Sequence, residues 1–256
     1  MKTGTIVKDK IRSGSPTIGS WLQIPSIEVA QILAGAGYDW LAVDMEHGGF
    51  SRKDLHDIIS VLEHSDTLPF VRVADHTMSS IKSALDAGAK GLIFPMIESR
   101  KQLDEAIDLA LYPPLGKRGV GYCRGNKFGK DFDKGLKENQ ETYFCAQIEH
   151  ISAIDQLDKI LAHPRLDAVM VGPYDFSGSM GLTGQFDHPD FIAAIETISK
   201  MVNQTNVAMG IHIVQPDPNL LQTRIAEGYR FIAYGIDALF LYQSSQCPEL
   251  NVESLK

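Results

Sequence analysis

The chain has 256 residues, 44% hydrophobic and 22% charged, with 22 Gly and 12 Pro, a globular composition that excludes disorder, collagen-like repeats and a disulfide scaffold. A formal net charge of −8 repels a phosphate backbone, so nucleic acid is not an expected partner. No apolar run reaches the ~20 residues that cross a bilayer, Met1-Lys2-Thr3-Gly4 opens no secretion signal, and the cysteines (Cys123, Cys145, Cys247) are odd in number without a CxxC pair; a reduced cytoplasm is expected.

In chain order, short and nearly continuous apolar runs alternate with amphipathic helices, the pattern of a parallel sheet buried on both faces. The run 18–21 leads to a helix capped by Ser26 and closing at Gly35 or Gly37. After 40–43, Ser51 and Asp54 form a capping box ahead of the stripe Leu55, Ile58, Ile59 and Leu62. The run 70–73 precedes a helix ending at Gly88. Next, 91–94 precedes a second capping box, Ser99 with Gln102, and the stripe Leu103, Ala106, Ile107 and Ala110. From about 112 to 140 the rhythm stops. This Gly-, Lys- and Arg-rich interval reads as an ordered functional excursion, over the mouth of the fold or into a neighbouring subunit. Runs at 144–148, 168–171, 207–211 and 230–233 complete eight strands, with Gly228 closing the last intervening helix. Eight strands in about 250 residues predict a single (β/α)8 barrel over residues 1–256.

In such a barrel the chemistry lies where strands end. Those ends deliver Trp21-Leu22-Gln23, Asp44-Met45-Glu46-His47, Arg72, Pro95, Gln147-Ile148-Glu149, Gly172-Pro173-Tyr174-Asp175, His212 and Tyr234-Gly235. Glu149 and Asp175 close consecutive strands. Together they suit an oxygen-liganded divalent cation such as Mg²⁺, Mn²⁺ or Co²⁺; the alternative is that each pairs with an arginine or caps a helix. Asp44 lies three residues before His47. It either orients the imidazole as a base or simply caps a turn beside an exposed histidine. Arg72 serves an anionic ligand or pairs with Asp44 or Asp75. No strand end offers a lysine for Schiff-base chemistry, and no glycine-rich phosphate loop follows the last strands. The other histidines, including His163, read as surface residues.

The combination Asp44-x-Glu46-His47, Val71-Arg72, Gln147-x-Glu149 and Gly172-Pro173-x-Asp175, with the stretch 91–99 and Pro113-Pro114-x-Gly116-x-Arg118-Gly119, resembles the HpcH/HpaI family of metal-dependent pyruvate aldolases. The resemblance runs from about Gly19 to Ala233. It implies a (β/α)8 barrel whose last helix is exchanged between subunits, in hexamers built as trimers of dimers. It also implies reversible cleavage of 4-hydroxy-2-oxoacids to pyruvate and an aldehyde. Carried over, Glu149 and Asp175 ligate the metal, Arg72 sits on the keto oxygen, and Asp44 with His47 handles protons. Gln147 and backbone groups along Gly172-Pro173-Tyr174-Asp175 hold the pyruvyl end beside Trp21, and Arg124 reaches toward a neighbouring subunit's site. Two positions depart from the pattern: Tyr174 stands where a small residue is usual, and His212 where an apolar one is. His212 is expected either to line the aldehyde side or to bond a backbone carbonyl. A citramalyl- or malyl-type lyase acting on CoA thioesters, and a barrel that binds 2-oxoacids without turnover, are the alternatives.

Overall fold

The computed structural model describes residues 4–247. Helix α1 (Thr5–Arg12) precedes the repeat. Then come β1 (Thr17–Leu22), α2 (Ile27–Ala34), β2 (Trp40–Asp44), α3 (Arg52–Leu62), β3 (Leu68–Arg72), α4 (Met78–Ala87), β4 (Gly91–Phe94) and α5 (Arg100–Ala110). An excursion follows, with a 3-10 stretch (Arg124–Gly129) and α6 (Phe132–Asn139). The second half adds β5 (Tyr143–Ile148), α7 (Leu157–Leu161), β6 (Ala168–Val171), α8 (Pro173–Ser179) and α9 (Pro189–Val202). It ends with β7 (Ala208–Ile213), α10 (Pro218–Ala226), β8 (Phe231–Ile236) and α11 (Asp237–Ser244). The strands pair in parallel, each with its sequence neighbours, and β8 returns to β1 to close an eight-stranded barrel. This is the (β/α)8 fold the alternation predicts.

Both expected capping boxes form: Ser51 accepts from the Asp54 amide and Ser99 from the Gln102 amide, with the reciprocal bonds present. The apolar stripes of α3 and α5 are buried against the outer barrel wall. Inside the barrel, the two-residue period of the strands sets the layers. Trp40, Phe70, Tyr143 and Phe231 stack across the interior with centroid separations of 4.4 to 6.0 Å. Gly19 makes room for this layer, since a Cβ there would stand 2.1 Å from the Trp40 ring. Beneath it, α1 closes the base with Val7 and Ile11. Above it, the same period turns Asp44, Arg72, Gln147 and His212 toward the mouth.

The excursion does not cover the mouth, contrary to the first of the two expectations. It leaves the C-terminal end of α5 and enters the start of β5, and both points lie at the base of the barrel, because helices run back against the strands. Its side chains anchor it there. Arg118 stacks on Tyr112 at 4.3 Å and pairs with Asp86 at 2.8 Å. Asn139 bonds the Tyr112 amide and the Ala110 carbonyl, and Lys90 pairs with Glu138 at 3.3 Å.

Candidate active site

On β2 and β3, Asp44 and Arg72 are register partners. The Arg72 Nε and one terminal nitrogen donate to the two Asp44 oxygens at 2.9 and 2.6 Å, while the Gln23 amide donates to the same carboxylate at 2.8 Å. Burial alone would raise the Asp44 carboxyl; the bonds and charge of Arg72, with Gln23, outweigh it and hold the carboxyl below its ordinary value. The other Arg72 terminal nitrogen stands 3.3 Å from Glu46, and the guanidinium lies 4.6 Å above the Trp21 ring. Three neighbours thus orient a cation that cannot lose its proton.

The expected Asp44–imidazole bond does not form. Asp44 instead accepts from the backbone N–H groups of Glu46 and His47, both at 3.2 Å, which shapes the turn after β2. The His47 ring projects outward, 61% exposed, with Nε2 3.9 Å from Glu46. The physical reason is competition: a buried carboxylate facing Arg72 satisfies the guanidinium first.

Glu149, at the end of β5, is buried; its oxygens accept from the Gln147 amide at 3.0 Å and the Met96 backbone N–H at 2.9 Å. Met96 adopts φ 50°, a left-handed conformation costly for a residue with a Cβ. That conformation lies at the residue whose amide reaches Glu149. Gly172, on the next strand end, leaves space for the same carboxylate, since a Cβ there would stand 2.3 Å from Glu149 Oε1. Asp175 occupies the first turn of α8, where Pro173 is the first helical residue. Burial, then the negative charges of Glu46 and Asp175, raise the Glu149 carboxyl to about 7 against the lowering effects of the Met96 amide and Arg72.

Trp21 lines the mouth beneath Arg72 and meets His212 edge-on at 5.7 Å. His212 Nε2 lies 3.3 Å from the Gly235 carbonyl, the backbone partner anticipated as its alternative role. Burial lowers the imidazole to about 4, so it is neutral near pH 7. The Tyr174 ring turns outward, edge-on to Phe186 at 5.0 Å. Arg124 does not join this cluster. It pairs with Glu63 at 2.8 Å and bonds the Ala87 carbonyl at 3.0 Å, at the base of its own barrel.

The chain matches the family described as HpcH/HpaI aldolase/citrate lyase over residues 17–243. It belongs to this family. The hydroxypyruvate/pyruvate aldolase of Roseobacter denitrificans is 34% identical over 93% of this chain and 93% of that protein. The 2-keto-3-deoxy-L-rhamnonate aldolase of Escherichia coli K12 is 32% identical over 91% and 87%. An HpcH/HpaI family protein of Burkholderia cenocepacia superposes with TM-score 0.89 at 33% identity, over 95% and 96% of the two chains. With aldolase relatives along nearly its whole length, the protein is a carbon–carbon lyase.

Glu46 is a further member of this site; the Asp44-x-Glu46-His47 motif alone assigns it no role. Its carboxylate is one of three at the mouth, with Glu149 and Asp175; burial raises it, offset in part by Arg72 and His47. Its signal in the sequence is its place one residue before His47 in the turn that follows β2. Members of the family are generally dependent on a divalent metal, and the donor set fits one. Glu46 and Glu149 face Arg72, and Asp175 adds a third negative charge that acts on both. Among the described residues, no three His, Cys, Asp or Glu side chains converge as a ligating group.

Proposed function

We propose that this aldolase reversibly cleaves 4-hydroxy-2-oxoacids to pyruvate and an aldehyde at the strand-end cluster, with Glu149 and Asp175 holding Mg²⁺, Mn²⁺ or Co²⁺. The observation that carries the reading is the meeting of the buried Glu149 with Glu46 and Asp175 at one rim: burial first, and then these negative charges, push the Glu149 carboxyl up to about 7, and a bound dication would neutralise the excess. The two named aldolase relatives support the substrate class. The lysines buried by the fold, Lys8 and Lys90, pair with Asp167 and Glu138 at the base, which argues against a Schiff base at the mouth.

Breaking the C3–C4 bond removes the proton of the C4 hydroxyl and leaves an electron pair on the pyruvate enolate. The dication supplies Lewis-acid stabilisation of that charge. Arg72, fixed by Asp44, Glu46 and Trp21, places a second cation at the enolate oxygen. His47 is exposed at the rim, where an imidazole takes the hydroxyl proton; such a base contributes roughly 10²–10⁴ in rate. Gln147 holds Glu149 through its amide nitrogen, while its oxygen is buried without a hydrogen-bond partner among the described residues. The second N–H of the Gln147 amide, with backbone amides near Tyr174 and Asp175, donates to the pyruvyl oxygens and orients that end, while the free Gln147 oxygen accepts from a water or a substrate hydroxyl. Trp21 and His212 border the space for the aldehyde, and a neutral His212 suits a polar, hydrogen-bonding acceptor.

The subunits assemble as a homo-oligomer through exchange of the terminal helix, with a hexamer as the expected size. Support comes from α11, which exposes Leu241 and Tyr242 and buries only Asp237. The decisive experiment measures pyruvate release from racemic 4-hydroxy-2-oxoacids, with EDTA and after restoring each metal. Activity lost to EDTA and regained with metal is expected. Cleavage insensitive to EDTA, or covalent trapping by borohydride, overturns the metal mechanism.

A further inference from the structure

At the base of the barrel, beyond the aromatic layer from the mouth, a cavity of 610 Å³ lies between α1 and the starts of β5 and β8. It is lined by Lys8, Arg12, Tyr143, His163, Asp167 and Arg230, among others. The reaction at the mouth uses none of them. In a chain of net charge −8, this end gathers three full cations around one carboxylate.

That carboxylate is already committed. Asp167 pairs with Lys8 at 3.1 Å and accepts the Phe144 backbone N–H at 2.9 Å, and Lys8 also donates to the Thr142 carbonyl. The remaining cations are poorly matched. Arg12 reaches only Asp9, at 3.5 Å, and both side chains are 70% exposed. Arg230 makes no ion pair among the described residues; its guanidinium donates to the Val207 carbonyl at 3.4 Å, a long bond. The Tyr143 hydroxyl is buried with no hydrogen-bond partner among the described residues. Asp167 and Arg230 line the same cavity, and the charges of both act on that hydroxyl.

Guanidinium and ammonium groups only donate, and a phenol with no acceptor has a proton to offer. The missing partner is therefore an anion with several acceptor oxygens. A fork such as Arg230 matches a phosphate oxygen pair, and the cavity falls within the range of metabolite sites, roughly 300–1,000 Å³.

We propose that this basal cavity binds a phosphate group, free or carried by a small metabolite, through Arg230, Arg12 and the Tyr143 hydroxyl. Lys8 contributes its charge. Because α1 and Arg230, the residue that enters β8, both contribute donors, the ligand ties the N-terminal helix to the start of the closing strand, and it stabilises the barrel by mass action. The occupant is remote from the strand-end cluster, so the site is distinct from substrate binding.

The test is calorimetric titration of inorganic phosphate into the full-length protein in EDTA-containing buffer, beside thermal unfolding. Phosphate is expected to bind and raise the Tm. Arg230→Gln is expected to weaken binding about ten-fold or more, the loss of one charge-assisted contact. Arg12→Gln, an exposed change that leaves folding intact, is expected to weaken it by a smaller factor. Both variants retain pyruvate release measured without phosphate, and Arg72→Gln, at the mouth, retains phosphate binding. No binding at millimolar phosphate, equal stabilisation by chloride at matched ionic strength, or binding lost in Arg72→Gln but kept in Arg12→Gln overturns the proposal. Comparing phosphate with sugar phosphates then separates a free ion from a metabolite: tighter binding of an ester assigns the cavity volume to its organic part.

Discussion

Gly172 shows how much a single missing carbon can matter. Its Cα faces the Glu149 carboxylate so closely that any Cβ would overlap Oε1, Cγ and Cδ. Gly172→Ala is therefore expected to displace Glu149 and weaken metal binding about 10- to 100-fold, the usual effect of disturbing what holds a ligand. Metal titration followed by pyruvate release would show this, and an unchanged metal affinity would mean that Glu149 is not a ligand. His212 makes a prediction of opposite character, about pH. Its folded value of about 4 lies below the ordinary 6.5, so the unfolded chain binds the proton more readily. The stability it contributes is complete above about pH 6.5 and is lost as pH falls toward 4. Urea unfolding at pH 5 and 7.5 should show a smaller pH difference for His212→Asn than for the parent chain. At this scale the sequence pointed to Asp44, Arg72, Gln147, Glu149 and His212 because strand ends deliver side chains by a two-residue period. It could not rank the partners of Asp44, since Arg72 and His47 were both plausible until the register set Arg72 directly across from it. Glu46 was hidden for the same reason.

Among the secondary-structure elements, capping chemistry was the most legible. Ser51 with Asp54 and Ser99 with Gln102 start their helices as the spacing requires. At the far end of α4, Gly88 has φ 111°, and a Cβ there would meet Glu63 at 2.8 Å and Arg124 at 3.2 Å. Gly88→Ala should thus cost more than about 1 kcal/mol of stability, by breaking both the left-handed cap and the Arg124–Glu63 pair. Because these groups lie at the base, kcat per folded site should be unaffected; thermal unfolding beside kinetics separates the two effects. The excursion was harder to place from residue content, because its basic and aromatic residues resemble a binding loop. Connectivity was the better guide. A segment joining the end of α5 to the start of β5 begins and ends at the base, so Arg118 and Arg124 find Asp86 and Glu63 there. His163 escaped for a related reason: read as a surface residue, it is 9% exposed, against Asp104.

For the molecule as a whole, the length and the count of apolar runs were enough to specify barrel closure. They said nothing about which surfaces remain unpartnered. Among the apolar side chains left exposed are two groups, Leu241 and Tyr242 on α11 and Leu115, Val120, Tyr122 and Phe128 in the excursion. If α11 is exchanged between subunits, Leu241→Asp with Tyr242→Asp should reduce the oligomer to smaller species in light scattering. An unchanged mass would remove α11 from the interface. The layer formed by Trp40, Phe70, Tyr143 and Phe231 has a further consequence for traffic through the molecule. It makes the barrel a vessel open at one end: substrate, products and the transferred proton share a single rim. Enolate and aldehyde therefore leave by the opening that admits the substrate, and neither has an exit of its own.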